Sequence, residues 1–505
     1  MDYSGLSLER FIPESILARI KSLFELQLWL LAAGLAFGLV IAYLVVDDKW
    51  FVALGLILVI PGAILLHNNP WLGLVVWLLI TPFVIETTGG TLRHLYWLIH
   101  RGLPLVILII IILSSMLGVR RINIPRPAWF EWAMIAYFLV SMASAFEMSE
   151  LTNESAYRVY DRIGVPMLLY LLIRLQVQDE DELNRLLPVI LFICLSQALF
   201  GFLYVTVRSV LPKVWLSIDG ARATGSVGSE SVYGTTMLFV GVLSLHTALS
   251  NKVSGIVKLV YIGAFAASLA AVFFTFSRGS WLAGSMVVAG LMILYPRFMV
   301  RFVVLALPVA ILAGGAMFAD DIAYAGQRIG TDQTVRGRLP VVLASINMFV
   351  EKPVFGWGYN NFDLYDRQFQ GRVGDLAAPE KDHASHNVYL TIAAEQGAVG
   401  LLLFLLPVVG LFTASLRKWP SLAADGFWSR KLLVILWLTI AAHFAVNNFS
   451  NMRVVFGLGL YWMTLALIAV IVLPRNQSSD VGLARLSDGT RPESSNRNVR
   501  NGFSG

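Results

Sequence analysis

Long apolar runs separated by brief polar breaks set the pattern of this chain. They fall near 27–46, 50–67, 70–87, 103–119, 128–147, 158–176, 186–207, 231–249, 256–276, 280–296, 301–319, 386–416, 430–450 and 454–474. One helical crossing of a bilayer takes ~20 apolar residues. The pattern therefore predicts an all-α polytopic integral membrane protein of about 12–14 transmembrane helices. The 50–67 and 70–87 runs also fit a re-entrant pair, and 158–176 is weakened by Arg158, Asp161 and Arg162. A single long polar stretch, 320–385, interrupts the series and predicts one large loop outside the bilayer.

The ends of the chain read differently. In residues 8–25, Ile16, Leu17, Ile20, Leu23 and Phe24 share one face, Arg10, Arg19 and Lys21 add charge, and Pro13 sits near the start. This predicts an amphipathic helix on the cytoplasmic membrane surface rather than a cleavable leader. The last thirty or so residues are rich in Ser, Asn, Arg and Gly and predict a disordered tail. The expected organisation is a surface segment over 1–25, helices over 26–319, the loop over 320–385, helices over 386–474 and a cytoplasmic tail over 475–505.

Composition agrees. Of 505 residues, 57% are hydrophobic and only 14% charged, with a mean hydropathy of +0.71; soluble domains carry more charge. The net charge of +6 lies mostly in loops. It fits the positive-inside rule rather than nucleic-acid binding. With the N-terminus in the cytoplasm, Arg120-Arg121, Arg297 to Arg301, Arg417-Lys418, Arg430-Lys431 and the tail from Arg475 all fall inside. The loop 320–385 then faces the periplasm, as do Arg222 and Arg278. The single cysteine, Cys194, forms no intrachain disulfide.

Outward positive charge runs against the topological bias and asks for a reason. Arg222 lies in Asp219-Gly220-Ala221-Arg222-Ala223-Thr224, and Arg278 in Thr275-Phe276-Ser277-Arg278-Gly279 between two apolar runs. Arg336 and Arg338 precede the apolar stretch from Leu339 to Val350. A guanidinium matches phosphate oxygens and stays charged, although an arginine at a helix end also commonly snorkels to lipid headgroups. Of the last pair, Arg338 is expected to work and Arg336 to be solvated. His386, where the polar loop re-enters a hydrophobic helix, is the general-base candidate. Asn387 and Tyr389 on the same turn are candidate substrate contacts. His443, Asn447 and Asn448 lie near the end of the next span and either support the site or pack against a neighbour. No His/Cys/carboxylate metal cluster, nucleophile elbow, Walker loop or dinucleotide fingerprint is present in the sequence.

The segment His386-Asn387, followed after nine residues by Gly397 and then Gly400, resembles the His-[Asn/Ser/Gln]-x9-Gly-x-x-[Gly/Thr/Tyr] pattern of the bacterial O-antigen ligase family. Ser277-Arg278-Gly279 resembles that family's Ser-Arg-Gly helix junction. Arg338 followed by Lys352-Pro353-Val354-Phe355-Gly356-Trp357-Gly358-Tyr359-Asn360-Asn361-Phe362 resembles its large periplasmic loop. The likeness covers roughly 220–450, and Gly397 and Gly400 are expected at helix-packing positions. The superfamily includes O-antigen ligases, polysaccharide polymerases and protein O-oligosaccharyltransferases. The resemblance implies a metal-independent, inverting glycosyltransferase without cofactor in the inner membrane, its site facing the periplasm. The donor would be a glycan on undecaprenyl pyrophosphate, and the acceptor lipid A-core or another glycan. Arg222 and Arg278 would hold the pyrophosphate, Arg338 would orient phosphate or loop, and His386 would deprotonate the acceptor hydroxyl.

Ligase and polymerase would share these residues. A third reading, an anion transporter, predicts ionisable residues deep within the spans.

Overall fold

The computed structural model describes residues 34–36, 38–47, 49–83, 96–117, 125–177, 179–217, 222–250, 253–330, 338–370, 385–450 and 454–473. The amphipathic segment expected over 1–25, the tail over 475–505, and Arg336 lie outside these residues.

Every regular element among the described residues is helical. In chain order they are α1 (Trp50–Asn68), α2 (Pro70–Ile80), α3 (Leu98–Met116), α4 (Trp129–Glu147), α5 (Thr152–Val159), α6 (Val165–Gln176), α7 (Glu180–Thr206), α8 (Glu230–Leu249), α9 (Gly255–Phe274), α10 (Arg278–Leu294), α11 (Pro296–Met317), α12 (Ala319–Gly330), α13 (Leu339–Glu351), α14 (Phe362–Phe369), α15 (Val388–Lys418), α16 (Arg430–Asn447) and α17 (Val455–Val472). The protein is an all-α polytopic membrane protein. Eight of the described helices are long and apolar enough to cross a bilayer, or nine if the pair flanking Asn69 forms one broken span. The 280–296 run gives a helix of only 17 residues.

The chain divides into two units, residues 1–70 and 71–505, and all the chemistry considered below lies in the second. Its centre is formed by α8 and α17, of which 94% and 89% of the spanning window is buried. A membrane helix enclosed by others loses its need for a lipid-facing side and is apolar all round. Around this pair, α9 packs on α8, α6 on α17, α10 on α16 and α4 on α15. Gly241 sets how closely α8 and α9 approach: a Cβ there would lie 2.0 Å from Ser268 Oγ.

The charged 158–176 run has a specific solution. α5 and α6 are joined through a π-helical turn, Tyr160–Gly164, facing a second one at the start of α3, Leu98–Gly102. Arg101 Nε and Nη2 donate to Asp161 Oδ1 and Oδ2 at 2.6 and 2.9 Å, and both side chains are buried. Tyr157 and Tyr96 flank the guanidinium, their ring centroids 4.4 and 5.0 Å away. A bidentate, aromatic-flanked pair neutralises charges that would otherwise exclude this segment from a bilayer.

The stretch 320–385 is also largely structured where described, carrying α12, α13 and α14. Its turn after Lys352 docks into α15, where the helix breaks at Gly397 with φ 65° and ψ −162°. The break strands carbonyls and amides, and the turn takes them up. Trp357 N donates to Ala394 O at 3.0 Å and Gly358 N to Glu395 O at 2.8 Å. In return, Ala398 N and Val399 N donate to Pro353 O and Val354 O at 2.7 and 3.2 Å. Glycine is required on both sides: a Cβ at Gly356 would lie 2.4 Å from the Glu395 backbone, and one at Gly397 2.3 Å from the Val354 backbone. Gly397 is therefore not a helix-packing glycine but one half of a backbone clasp. Gly400 lies against its own helix, where a Cβ would press on the Gln396 side chain at 2.3 Å.

Candidate active site

His386 stands just outside the first turn of α15, in the left-handed region at φ 51°. Asn387 is the helix N-cap, and its Oδ1 accepts from Tyr389 N and Leu390 N at 3.0 Å each. This satisfies two amides that a helix start leaves unpaired. The buried Ser385 pins the turn from the other side, its hydroxyl donating to Asn387 O at 2.9 Å and bonding Thr391 Oγ1. The histidine thus sits on a turn fixed from both flanks rather than on a loose loop.

The Asn387 side chain reaches further. Its Nδ2 donates to Asn448 Oδ1 at 3.1 Å, at the end of α16. From the next residue, Phe449 O accepts from Arg338 Nη1 at 3.2 Å. Arg338 is the residue before α13, where its backbone opens the helix, as Val342 N donates to Arg338 O at 3.0 Å. Gly279, beside Arg278, packs on the same turn, where a Cβ would lie 3.3 Å from Phe449 Cβ. The Asn448-Phe449 turn thus contacts Arg338 and the neighbours of His386 and Arg278 in the chain, Asn387 and Gly279.

Arg278 opens α10, whose N-cap Ser277 accepts from Ser280 N at 3.4 Å. The preceding Phe276 is buried with φ 45°. Its ring lies among Phe273, Phe274, Trp281 and Tyr324, with Tyr324 edge-on at 5.0 Å. A bulky residue held at positive φ is strained unless its surroundings enforce it. Among the described residues, three non-glycines have positive φ: Phe276, Asn360 and His386. One falls in each of the three motifs, and such strain concentrates at functional sites.

Arg222 is tied to the junction before α10 through its neighbour: Ala223 N donates to Phe274 O at 3.0 Å, at the end of α9. Its guanidinium donates to Glu230 Oε1 at 2.8 Å, an ion pair that sequence inspection did not anticipate. Both side chains remain partly accessible, at 22% and 28%.

The turn after Gly358 ties the site to α4 and α5. Asn361, fully buried, donates to Met148 O and Trp357 O at 2.9 and 2.8 Å and accepts from Ser149 Oγ at 3.2 Å. Asn360 Oδ1 accepts from Arg158 Nη1 at 2.7 Å. Tyr389 stacks on Phe444 with centroids 5.2 Å apart, and its hydroxyl lies beside the Asn447 side chain. His443 is fully buried and edge-on to Tyr461 at 5.6 Å, so it supports the helix packing behind the site.

Fold and site define a polytopic membrane protein with His386, Arg278, Arg338 and Arg222 on turns flanking its helices. Residues 263–405 match the family model described as O-antigen ligase, which supports a likeness to that superfamily. The match spans Arg278, Arg338, His386 and Gly397 and leaves Arg222, Asn448 and Phe449 outside. The activity that goes with the family is glycan transfer of ligase or polymerase type in polysaccharide biosynthesis. No curated protein gives a significant match to the chain.

Proposed function

We propose that the chain transfers a glycan from undecaprenyl pyrophosphate to an acceptor hydroxyl at the periplasmic face of the inner membrane. The observation that carries this reading is the Asn448-Phe449 turn, which binds Arg338 and the chain neighbours of His386 and Arg278, namely Asn387 and Gly279. A proton acceptor and cations on such turns suit a reaction in which a hydroxyl is deprotonated while an anionic group leaves.

In this scheme His386 takes the acceptor proton and the freed oxygen bonds to the anomeric carbon from the face opposite the leaving group. The carbon–oxygen bond to the pyrophosphate breaks, and its electron pair departs with undecaprenyl pyrophosphate. Arg278 and Arg222 hold that charge as it develops, and Arg338 steadies phosphate and loop. Asn387 serves by setting the histidine turn. The lipid pyrophosphate is itself the activated leaving group, so no nucleotide sugar or metal is called for.

The orientation follows from charge. The opposite ends of α15 and α16 carry Arg417, Lys418, Arg430 and Lys431, and α11 begins with Pro296 and Arg297. The positive-inside rule puts that end in the cytoplasm and the His386 end outside.

The candidate site residues favour an enzyme over an anion transporter, because Arg278, Arg338 and Asn387 stand at the starts of their helices rather than within spans. The test is incubation of purified protein with a labelled undecaprenyl-pyrophosphate glycan and candidate acceptors. Label moving to a separate acceptor is the ligase result. A ladder of longer glycans still on lipid is the polymerase result. Label remaining on unextended donor with every acceptor overturns the proposal.

A further inference from the structure

Three neighbouring helices mark one boundary of the hydrocarbon layer. α4 has 19 residues and α16 has 18, each about one crossing of ~30 Å at 1.5 Å per residue. The part of α15 beyond its break, from Ala398 to Lys418, is a crossing of similar length. α4 and α15 run side by side over it: Gly410 packs on Phe130 at the start of α4, and Gln396 bonds Ser141 beside the break. α16 returns from the Arg417-Lys418 end of α15. The end of α4, the break at Gly397 and the end of α16 therefore lie at a common depth.

α13 is fastened at that depth by both of its ends. At its start, Arg338 Nη1 donates to Phe449 O at 3.2 Å, just past the end of α16. At its finish, the turn after Lys352 docks at Gly397, and Asn361 Nδ2 from the same turn donates to Met148 O at 2.9 Å, just past the end of α4. A helix of 13 residues is about 20 Å long, and one held this way lies along the membrane plane rather than across it. Val341, Ala344 and Met348 bury its inner side. The opposite side is apolar. Leu339, Ile346 and Val350 are exposed, Val350 by 69%. Val342, Leu343 and Phe349, half-buried, fall in the same sector at ~100° per residue. The stripe runs on into Val354 and Phe355, which are 53% and 56% exposed. Polar residues, Asn347 and Glu351, stand on its flank.

We infer that α13 is an interfacial helix, its outward stripe of Leu339, Ile346 and Val350, with Val354 and Phe355, embedded in the acyl chains of the leaflet at the His386 end. The stretch 320–385 is then not wholly outside the bilayer, as its polar sequence suggests. A continuous apolar stripe turned to water asks for a partner. At the edge of the hydrocarbon layer that partner is the lipid itself, in which an amphipathic helix sinks its apolar face by about 5–10 Å. The groups at the two ends agree with that depth. Lys352 Nζ lies 3.8 Å from the centroid of the Trp357 ring, whose Nε1 donates to Met348 O at 3.0 Å. Lysine and tryptophan both suit the headgroup level. The lipid contact holds Arg338 and the Gly356–Gly397 clasp, which bracket the helix, at the level where lipid phosphates lie. The inference rests on membrane depth and stands apart from the glycan-transfer reading.

The experiment reads lipid contact directly. The full-length protein carries Cys194→Ala, so that Ile346→Cys, Val350→Cys, Phe355→Cys or Glu351→Cys each supplies a single thiol for the fluorophore bimane. Labelled protein is placed in nanodiscs of ordinary phosphatidylcholine, or of phosphatidylcholine brominated near the top of its acyl chains, and iodide is titrated from the water. All four positions are exposed, and variants are compared at matched melting temperature; Phe355→Cys, on the turn, keeps the test open if a helix variant fails to fold. At Ile346, Val350 and Phe355 the brominated lipid should remove most of the fluorescence and iodide little of it. At Glu351, on the flank, the order should reverse. Quenching by iodide but not by brominated lipid along the stripe overturns the inference, because the stripe then faces water. Resistance to both quenchers overturns it as well, because protein, from this chain or a second copy, then covers the stripe.

Discussion

Asn387 Nδ2 donates to Asn448 Oδ1 at 3.1 Å across 61 residues of chain, while the same Asn387 side chain caps α15 with its oxygen. One amide thereby fixes the turn that carries His386 and couples it to the turn that receives Arg338. Loss of the cap costs about 0.5–2 kcal/mol, and loss of the cross-link lets the histidine turn drift from the arginines. Asn387→Ala should lower both melting temperature and kcat. Asn387→Ser keeps a capping oxygen but cannot reach Asn448, so it should recover stability while kcat stays at least tenfold down, since small misplacement is costly in a preorganised site. Equal recovery of rate and stability would reduce Asn387 to a cap.

The Gly356–Gly397 clasp predicts a sharp contrast among glycine substitutions. Gly397→Ala drives a methyl into the Val354 backbone at 2.3 Å, and Gly356→Ala into the Glu395 backbone at 2.4 Å. Each should unseat the turn and expose 353–362 to limited proteolysis, with a loss of several °C in melting temperature. Gly263→Ala, in the middle of α9 with nothing within 4 Å of its Cβ, should be neutral or mildly stabilising. Resistance of the first two variants to protease would contradict the clasp.

The pair Arg101–Asp161 should behave as a buried ion pair. Removing one partner strands the other, at about 3–5 kcal/mol. Asp161→Ala and Arg101→Met are each expected to destabilise strongly, and the double variant by less than their sum. A double-mutant cycle in detergent unfolding measures this; additive losses would show that the two residues act separately.

If arginines supply the positive charge for the leaving pyrophosphate, Arg278→Ala should cut kcat by about 10²–10³. Arg278→Lys should recover only part of it, because an ammonium lacks the planar fork. EDTA should leave transfer unchanged. A rate that falls with EDTA and returns with a divalent cation would replace the arginine account with a metal-assisted one.

Much of the fold was legible in the chain because apolar runs of bilayer length leave few alternatives to helices. The short segments were not. The 158–176 run looked too charged until Arg101, some sixty residues away, supplied the partner for Asp161. Within the site, His386, Arg278 and Arg338 stood out because polar residues at helix ends are conspicuous among apolar neighbours. The turn that binds Arg338 did not: the bond from Arg338 to Phe449 spans 111 residues. Gly397 looked like a packing glycine because its neighbours are helical. Only the positive φ and the docked turn disclose its role. The partners Glu230 and Ser385 went unnoticed because nothing local marks them.

The most direct test concerns His386. Purified His386→Ala and His386→Gln, folded and monodisperse, would be compared with wild type in single-turnover reactions on labelled undecaprenyl-pyrophosphate glycan with acceptor in excess. The account predicts that both variants bind donor yet transfer no glycan above background. Transfer at the wild-type rate in either variant would contradict it.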